Sequence, residues 1–507
     1  MGRLFLFAAA VFALLVPFSS AGGSPTTYYV SASGSDSNPG TQAAPWRTIA
    51  KVNSASLSPG DTVLFQGGQT FSDTTLMPPV SGTSSAPISF GSYGTGAAQF
   101  NNSTDVWIPS GGHDLVFDGF DFTGTGILFA SAATGPGTYD ITIKNSAFHD
   151  TPQTAINISQ HPDHNWTITN SSFRHIGDSG LISWGANVTL SHSTITDTGW
   201  NPAITWGKHG IYDKGIDSTI AFNDFSGDQN GQAISVRMHG AQIYGNTIHD
   251  TPQGIAFFDY DTTTTPQGTD YVYDNRLWNI DEWGFYYSNY PDPQGQPPSV
   301  SFVVASNTFS FNGASEAVNL SETPSQASIT LANNIFTGNY QSAYRGCPTC
   351  TEHNNDWYGA NTNLPTGSGD KRLNPALTAA PALLVPSGSP IRAAGTTAVN
   401  GLRYIASCDG GLLHYCGRQP DLGASALGAY LTAKPATTTP LRPATAGKAA
   451  AKKVVAKKAV AKKITAAKLP AKLRTVTFYT YKKNVKLRGH KTLHYRRGKG
   501  YYAANAR

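Results

Sequence analysis

The fold is decided by the segment Ile141-Thr-Ile-Lys-Asn-Ser-Ala-Phe148 and by its relatives Trp166-Thr-Ile-Thr-Asn-Ser-Ser-Phe173 and Ile329-Thr-Leu-Ala-Asn-Asn-Ile-Phe336. In each, apolar and polar residues alternate, an Asn follows, and a bulky apolar anchor ends the segment. Alternation with a period of two indicates strands and not helices. The same frame fits nine anchors spaced 22 to 32 residues apart: Phe122, Phe148, Phe173, Ile195, Phe225, Ile248, Leu277, Phe309 and Phe336. Strand units repeated at this spacing predict a solenoid whose turns bury their apolar sides against one another.

Composition and a second repeat agree with an all-β chain. Among the 507 residues, 52 Gly and 31 Pro disfavour a helical protein. The pentapeptide His149-Asp-Thr-Pro-Gln153 returns unchanged at residues 249–253, and we interpret both copies as turn-forming. Six Asn residues close before the anchors are predicted to satisfy backbone groups in turns or in a ladder: Asn145, Asn170, Asn246, Asn275, Asn307 and Asn334.

The charges divide the chain into an acidic body and a basic tail. Residues 434–507 hold 21 Lys and Arg and no Asp or Glu, whereas the rest of the chain holds 15 basic and 31 acidic residues. Residues 434–474 have the composition of a Lys/Ala-rich low-complexity linker, and residues 475–507 alternate well enough for a small basic β element. A tail of this charge predicts an anionic cell-surface polymer as its partner.

The first 21 residues are predicted to be a secretory signal peptide. Arg3 supplies a positive start, an apolar run of 15 residues follows at 4–18, and Ser19-Ser20-Ala21 provides the small residues of a cleavage site. This run is short for a membrane span of about 20 residues, and no other run is long enough. We therefore expect a secreted or cell-surface protein without a membrane span after cleavage, and we do not expect nucleic acid as its partner.

Four cysteines lie near the end of the acidic body. An oxidising compartment favours disulfides over a zinc site. Four cysteines allow three pairings, and the sequence leaves the choice among them open. The candidates are Cys347, Cys350, Cys408 and Cys416.

The sequence resembles the right-handed parallel β-helix proteins of the pectin-lyase-like superfamily over about residues 26–430. The resemblance is carried by the opening Tyr28-Tyr-Val-Ser-Ala-Ser-Gly-Ser-Asp-Ser-Asn-Pro-Gly40, by Pro59-Gly-Asp-Thr-Val-Leu-Phe65 and by the closing Pro420-Asp-Leu-Gly-Ala424. It implies an all-β domain over residues 22–433, expected to be monomeric. These motifs are specific for fold and export and not for activity, because one fold hosts many chemistries.

Lys214 and Arg237 are the main candidates for catalysis. Aligning the strand after each anchor places them at one position of adjacent turns, in a file with Ser159, Gly185, Phe258, Ser288 and Ser321. Adjacent turns lie about 4.8 Å apart, and a like charge so close favours a neutral lysine that can act as a base. The groups expected around this pair are His209, Asp213, His239, Asp259, Tyr260, Asp261, Trp283, Tyr286 and Tyr290.

The segment from Lys214 to Asn246, which contains Arg237-Met-His-Gly240, resembles the catalytic turns of polysaccharide lyase family six. The resemblance implies Lys214 as base and Arg237 as acid, with His239 beside them. It also implies a calcium ion, for which no acidic or Asn set stands out between Leu181 and Asn187. Asp36, Asn38 and Asp61 are other candidate calcium ligands, although a tight turn explains these residues equally well.

The predicted function is that of a lyase that cleaves an acidic, uronate-containing glycan by β-elimination. Two alternatives stay open. Asp213 and Asp259 fall two turns apart, about 9.5 Å, which is at the upper edge for an inverting glycosidase. The aromatic residues Tyr260, Trp283, Tyr286 and Tyr290 also suit a non-catalytic glycan-binding protein.

Overall fold

The computed structural model describes residues 24–424 except 161, 206, 238, 259–267, 289–300, 313–315, 323–326, 340–341, 347–349, 360–363, 408–411 and 416–417, and beyond them only the backbones of four short strands. The predicted signal peptide and most of the basic tail therefore lie outside the described residues. The chain divides into two compact units, Met1–Leu441 and Arg442–Arg507.

The first unit is a solenoid whose successive turns contribute strands to parallel sheets. The first sheet has 13 strands: Thr27–Val30, Thr62–Gln66, Ile88–Tyr93, His113–Asp118, Tyr139–Lys144, His164–Thr169, Thr189–Ser191, Thr219–Ala221, Gln242–Tyr244, Asp270–Tyr273, Ser301–Ala305, Ser328–Ala332 and Cys350–His353. The second sheet comprises Thr70–Phe71, Ala98–Asn102, Phe120–Gly124, Ala147–Thr151, Ser172–Ile176, Thr194–Thr198, Asp224–Ser226, Thr308–Asn312, Ile335–Asn339 and Asp356–Tyr358. The third comprises Val106–Ile108, Phe129–Ser131, Ile156–Ile158, Leu181–Ser183, Ile211–Asp213, Gln232–Val236, Glu316–Asn319 and Ser342–Arg345.

Two long strands, Thr247–Phe258 and Arg276–Ser288, run through both the second and the third sheet. They join these two stacks into one continuous parallel arrangement. The described residues contain one short helix, Ile49–Asn53, which begins after Thr48, whose side chain accepts a hydrogen bond from the backbone N–H of Lys51. The remaining described strands of this unit are a parallel pair, Ile405–Ala406 and His414–Tyr415.

The predicted anchors form a single buried file, meaning a column of side chains at one position of successive turns. Each anchor is in register with the next along the second sheet, from Phe122 to Phe336. The aromatic members stack, with ring centroids 5.0 Å apart for Phe148 and Phe173 and 4.9 Å apart for Phe309 and Phe336. The solenoid predicted from the alternation is confirmed, and it buries these anchors as its core.

A ladder of buried Asn side chains runs along the turn between the first and second sheets: Asn223, Asn246, Asn275, Asn307, Asn334 and Asn355. Each donates from Nδ2 to Oδ1 of the next at 3.0 to 3.1 Å. The ladder ends at Asp370, whose Oδ1 accepts from the backbone N–H of Asn355 at 2.8 Å. Four of the six predicted Asn thus belong to it, whereas Asn145 and Asn170 take positive φ in the preceding turns.

The second unit contains four short antiparallel strands, Thr475–Val476, Asn484–Lys486, Thr492–Arg496 and Gly500–Ala503. Among the described residues of the whole chain, no helix is long and apolar enough to cross a membrane.

Candidate functional site

Lys214 and Arg237 lie on adjacent turns of the third sheet, directly after its strands Ile211–Asp213 and Gln232–Val236. The two strands are in register, and the backbone N–H of Arg237 donates to the carbonyl oxygen of Asp213 at 2.8 Å. The alignment that placed the two cations side by side therefore holds in three dimensions.

Aromatic rings hold both cations. The Lys214 Nζ atom lies 3.9 Å from the ring centroid of Trp184 and 4.9 Å from that of Tyr212. The Arg237 Cζ atom lies 4.9 Å from the Tyr212 centroid and 4.0 Å from that of Phe258. We call these five residues the cation ladder. Cation–π contacts attract a basic side chain to the face of an aromatic ring, so the three rings fix the positions of Lys214 and Arg237.

The guanidinium group of Arg237 is only partly satisfied. Its Nε donates to the Tyr212 hydroxyl at 3.3 Å. Its Nη1 is buried and has no hydrogen-bond partner among the described residues. A buried donor without an acceptor costs about 1–3 kcal/mol, more when it is charged, and a carboxylate matches a guanidinium best. This donor is therefore suited to a carboxylate ligand.

His209 packs against Tyr212, a member of the cation ladder. It is buried, and its Nδ1 accepts from the backbone N–H of Gln232 at 3.2 Å. Burial, together with the positive charge of Arg237, lowers the pKa of His209 to about 3, so its ring is neutral. The ring contacts Tyr212 at a centroid distance of 4.8 Å, which makes His209 a positioning residue for Tyr212.

Asp213 and His239 point into the coil, away from the ladder. Strand alternation turns Tyr212 outward and Asp213 inward, and burial raises the pKa of Asp213 to about 7. The Asp213 Oδ1 accepts from the backbone N–H of Gly215 at 3.0 Å. His239 is buried with its Nδ1 3.0 Å from Oδ2 of Asp270. Neither group lies on the face that presents Lys214 and Arg237.

Aromatic residues continue the ladder onto the next turn. The ring centroids of Phe258 and Tyr286 are 5.6 Å apart at 69°, and those of Trp283 and Tyr286 are stacked 4.4 Å apart. The structure thus brings two of the predicted substrate-binding residues to the site. Asp259, Tyr260, Asp261 and Tyr290 lie outside the described residues.

Residues 200–357 match the family model described as the right-handed β-helix region. The first unit therefore has the fold of a right-handed parallel β-helix. The segment matched includes Lys214, Arg237 and the Asn ladder from Asn223 to Asn355. The resemblance to pectin-lyase-like β-helix proteins is therefore confirmed as a resemblance of fold.

Solved structures with this fold resemble the β-helix protein at low sequence identity. XylC in complex with xylose is 11% identical, with a TM-score of 0.50, over 69% of this chain and 87% of that one. Pectate lyase Pel9A is 17% identical, with a TM-score of 0.41, over 80% and 97%. The polygalacturonase from Erwinia carotovora ssp. carotovora is 11% identical, with a TM-score of 0.44, over 65% and 97%. No curated protein sequence matches the chain.

Two members of the cation ladder, Trp184 and Tyr212, were not predicted from the sequence of this β-helix protein. The predicted file contains Gly185, but the structure pairs Ile156 with Leu181 and Leu181 with Ile211, so the file passes through Trp184. Two consecutive apolar residues made the register ambiguous at this turn. Tyr212 was missed because it precedes the aligned position by two; its outward position between Ile211 and Asp213 was the available signal.

The candidate calcium ligands near the start of the coil hold backbone turns. Asp36 accepts hydrogen bonds from the backbone N–H groups of Arg47 and Thr48 and from the Thr48 hydroxyl. Asp61 accepts from the N–H groups of Thr26 and Ser58. Across the part of the chain that the structure describes, no group of three or more His, Cys, Asp or Glu is placed to hold a metal ion.

Cys350 of the β-helix protein, at the start of a strand of the first sheet, is disulfide-bonded. Cys347, Cys408 and Cys416 lie outside the described residues, so the pairing stays a prediction.

Proposed function

We propose that this β-helix protein is a secreted lyase that cleaves an acidic, uronate-containing polysaccharide by β-elimination at the cation ladder. The observation that carries the proposal is the pair of adjacent cations, Lys214 and Arg237, of which Arg237 has a buried Nη1 without a partner among the described residues. The fold alone does not select an activity, so the proposal depends on this site.

The reaction assigns different tasks to Lys214 and Arg237. Arg237 binds the uronate carboxylate, which makes the proton on the neighbouring carbon more acidic as negative charge develops. Lys214 removes that proton through Nζ. The C–O bond to the leaving sugar then breaks as the C=C bond forms, and the leaving oxygen takes up a proton, for which the resemblance to lyase family six gives Arg237 as the donor.

The surrounding rings support this division of tasks. Trp184 and Phe258 close the two ends of the ladder, and Tyr212 fixes Arg237 through its hydroxyl. Trp283 and Tyr286 provide a stacked aromatic surface beyond Phe258, which suits the apolar face of a sugar ring.

The basic tail belongs to the same proposal. Its 21 Lys and Arg residues attract a polyanion at long range, whereas the acidic body repels it. This attraction weakens with salt. Truncation after residue 433 should weaken binding to an anionic polymer at low ionic strength; unchanged binding would contradict this role.

The test is to incubate the full chain with alginate, pectate and glycosaminoglycans and to follow the ultraviolet absorbance of unsaturated uronate. Lys214→Ala and Arg237→Ala should each lower kcat/KM by about 100-fold or more, the contribution of a general acid or base. Lys144→Ala and Arg174→Ala are matched controls, because both side chains are exposed and pair with surface carboxylates at 3.4 and 3.2 Å.

Four results would overturn the lyase proposal. Absence of the absorbance on all three polymers, or an equal loss in the control variants, would do so. Reducing ends without the absorbance would indicate a hydrolase. Binding without any product would indicate the glycan-binding protein.

A further inference from the structure

A cavity of about 590 Å³ lies on the second sheet, which the proposed lyase chemistry does not use. Its inner wall is formed by Asp250, Trp278, Asn279, Ser310 and Thr337, and its outer wall by residues 374–380 together with Leu383. Ligand sites in proteins have volumes of roughly 300–1,000 Å³. The cavity is therefore large enough for one or two sugar rings.

One face of Trp278 is already occupied. His249 stacks on it at a centroid distance of 4.4 Å and an angle of 3°. On its other side in the same file come Ser310 and then Thr337. Neighbouring positions are about 4.8 Å apart, and these two side chains are small, so the second face of Trp278 borders the cavity as a flat platform.

The charge around the platform is negative overall. His249 lies between two carboxylates, with its Nδ1 2.7 Å from Asp250 and its Nε2 3.0 Å from Asp224. Burial acts to lower the pKa of His249, but these two hydrogen bonds outweigh it and raise the pKa above its usual value. Two carboxylates face a single imidazole ring, so the site is negative in either protonation state of His249, which disfavours an anionic ligand.

His249 already occupies one face of Trp278, so a ligand reaches only the other face. The polar groups of the lining fit hydroxyls. Ser310 and Thr337 supply hydroxyl groups, and Asn279 donates to Asp250, so an amide and a carboxylate stand at the rim. A flat aromatic ring combined with hydroxyl, amide and carboxylate groups is suited to a neutral pyranose.

We infer that this cavity is a binding subsite for a neutral, equatorially linked pyranose unit, which stacks its axial C–H face on Trp278. The subsite differs in charge preference from the cation ladder, which is on the third sheet and suits uronates. It does not depend on the lyase proposal, because none of the five ladder residues lines it.

The test is isothermal titration calorimetry of the full chain with xylohexaose, cellohexaose and mannohexaose, and with an oligogalacturonate of equal length as the anionic probe. At least one neutral oligosaccharide should bind, and Trp278→Ala should raise its Kd by about tenfold or more. Ser310→Phe keeps Trp278 but fills the space over its free face, and should have the same effect.

Trp200→Ala is the matched control, because Trp200 also stacks on a histidine, His175, at 4.8 Å and 8° but does not line the cavity. It should leave the Kd unchanged. Far-ultraviolet circular dichroism checks that each variant is folded. No binding of the three neutral probes, equal losses in Trp200→Ala, or binding of oligogalacturonate that Trp278→Ala abolishes would each overturn the inference.

Discussion

Replacing Asp213 by Asn should stabilise the protein at neutral pH, although Asp213 is a candidate catalytic residue. Burial raises the pKa of its carboxyl from 3.8 to about 7. Between these pH values the unfolded chain releases the proton whereas the folded chain keeps it, so the free energy of unfolding falls as pH rises. Each pKa unit corresponds to about 1.4 kcal/mol, and roughly three units give a cost on the order of 4 kcal/mol by pH 8.

Asp213→Asn removes this cost without changing the shape of the side chain. We expect the effect of the substitution on the free energy of unfolding to be more favourable at pH 8 than at pH 4 by about 4 kcal/mol. Comparing the two pH values cancels any pH-independent cost of the amide. Urea denaturation followed by far-ultraviolet circular dichroism measures the midpoints, which convert to free energy through the slope m.

Asp163→Asn is the matched control. Asp163 is also buried, but its carboxylate accepts hydrogen bonds from the Thr138 N–H, the Thr138 hydroxyl and the Ser131 hydroxyl at 2.7 to 2.9 Å. At pH 8 this variant should lose about 1–3 kcal/mol. If Asp213→Asn has the same effect at both pH values, or destabilises the protein at pH 8, the reasoning is wrong. Retained turnover would also remove Asp213 from the hydrolase hypothesis.

Two further predictions concern the Asn ladder and His249 on the second sheet. Asn275→Ala should lower the free energy of unfolding by at least about 3 kcal/mol, because it leaves the buried Ile243 carbonyl and the Asn246 N–H without their partners. The control Asn145→Ala, at an exposed position, should cost about 1 kcal/mol. Similar urea midpoints for the two variants would contradict the stabilising role of the Asn ladder. The His249 ring should titrate by NMR with a pKa above 6.5, and with a pKa closer to 6.5 in Asp224→Asn. The stabilisation of the folded state by His249 is therefore present below pH 6.5 and is lost as the pH rises through the raised pKa. An NMR titration midpoint at or below 6.5 in the unaltered protein would contradict the arrangement of two carboxylates around the ring.

Most of the fold could be predicted from the sequence because the anchors repeat. Apolar residues that face the coil interior must recur once per turn, so Phe148, Phe173 and Phe336 mark the turns directly. The strand junctions were harder to predict. Nothing in the alternation indicates that Thr247–Phe258 and Arg276–Ser288 continue from one sheet into the next, since that depends on the geometry of a corner and not on hydrophobic period.

The candidate site could be predicted in part. Stacking arithmetic placed Lys214 beside Arg237, because both follow well-marked strands. It could not tell inward from outward side chains next to them, and it therefore grouped Asp213 and His239 with the cations. Register was lost at Leu181-Ile182, where either residue satisfies the apolar pattern, and Trp184 was missed as a consequence. The cavity beside Trp278 could not be predicted, because its outer wall comes from residues about 100 positions later in the chain.

The Asn ladder bears on how a protein of this kind can change in length. Each Asn from 223 to 355 presents the same donor and acceptor to the turn before and the turn after, so a whole turn inserted or lost within this range would leave matched chemistry at both new joints. Asp370 is different, because a carboxylate accepts but cannot donate, and its second oxygen is already used by Trp357 and Gly367. The ladder is thus free to vary in its number of rungs but carries a fixed terminator, which gives the coil a defined last turn.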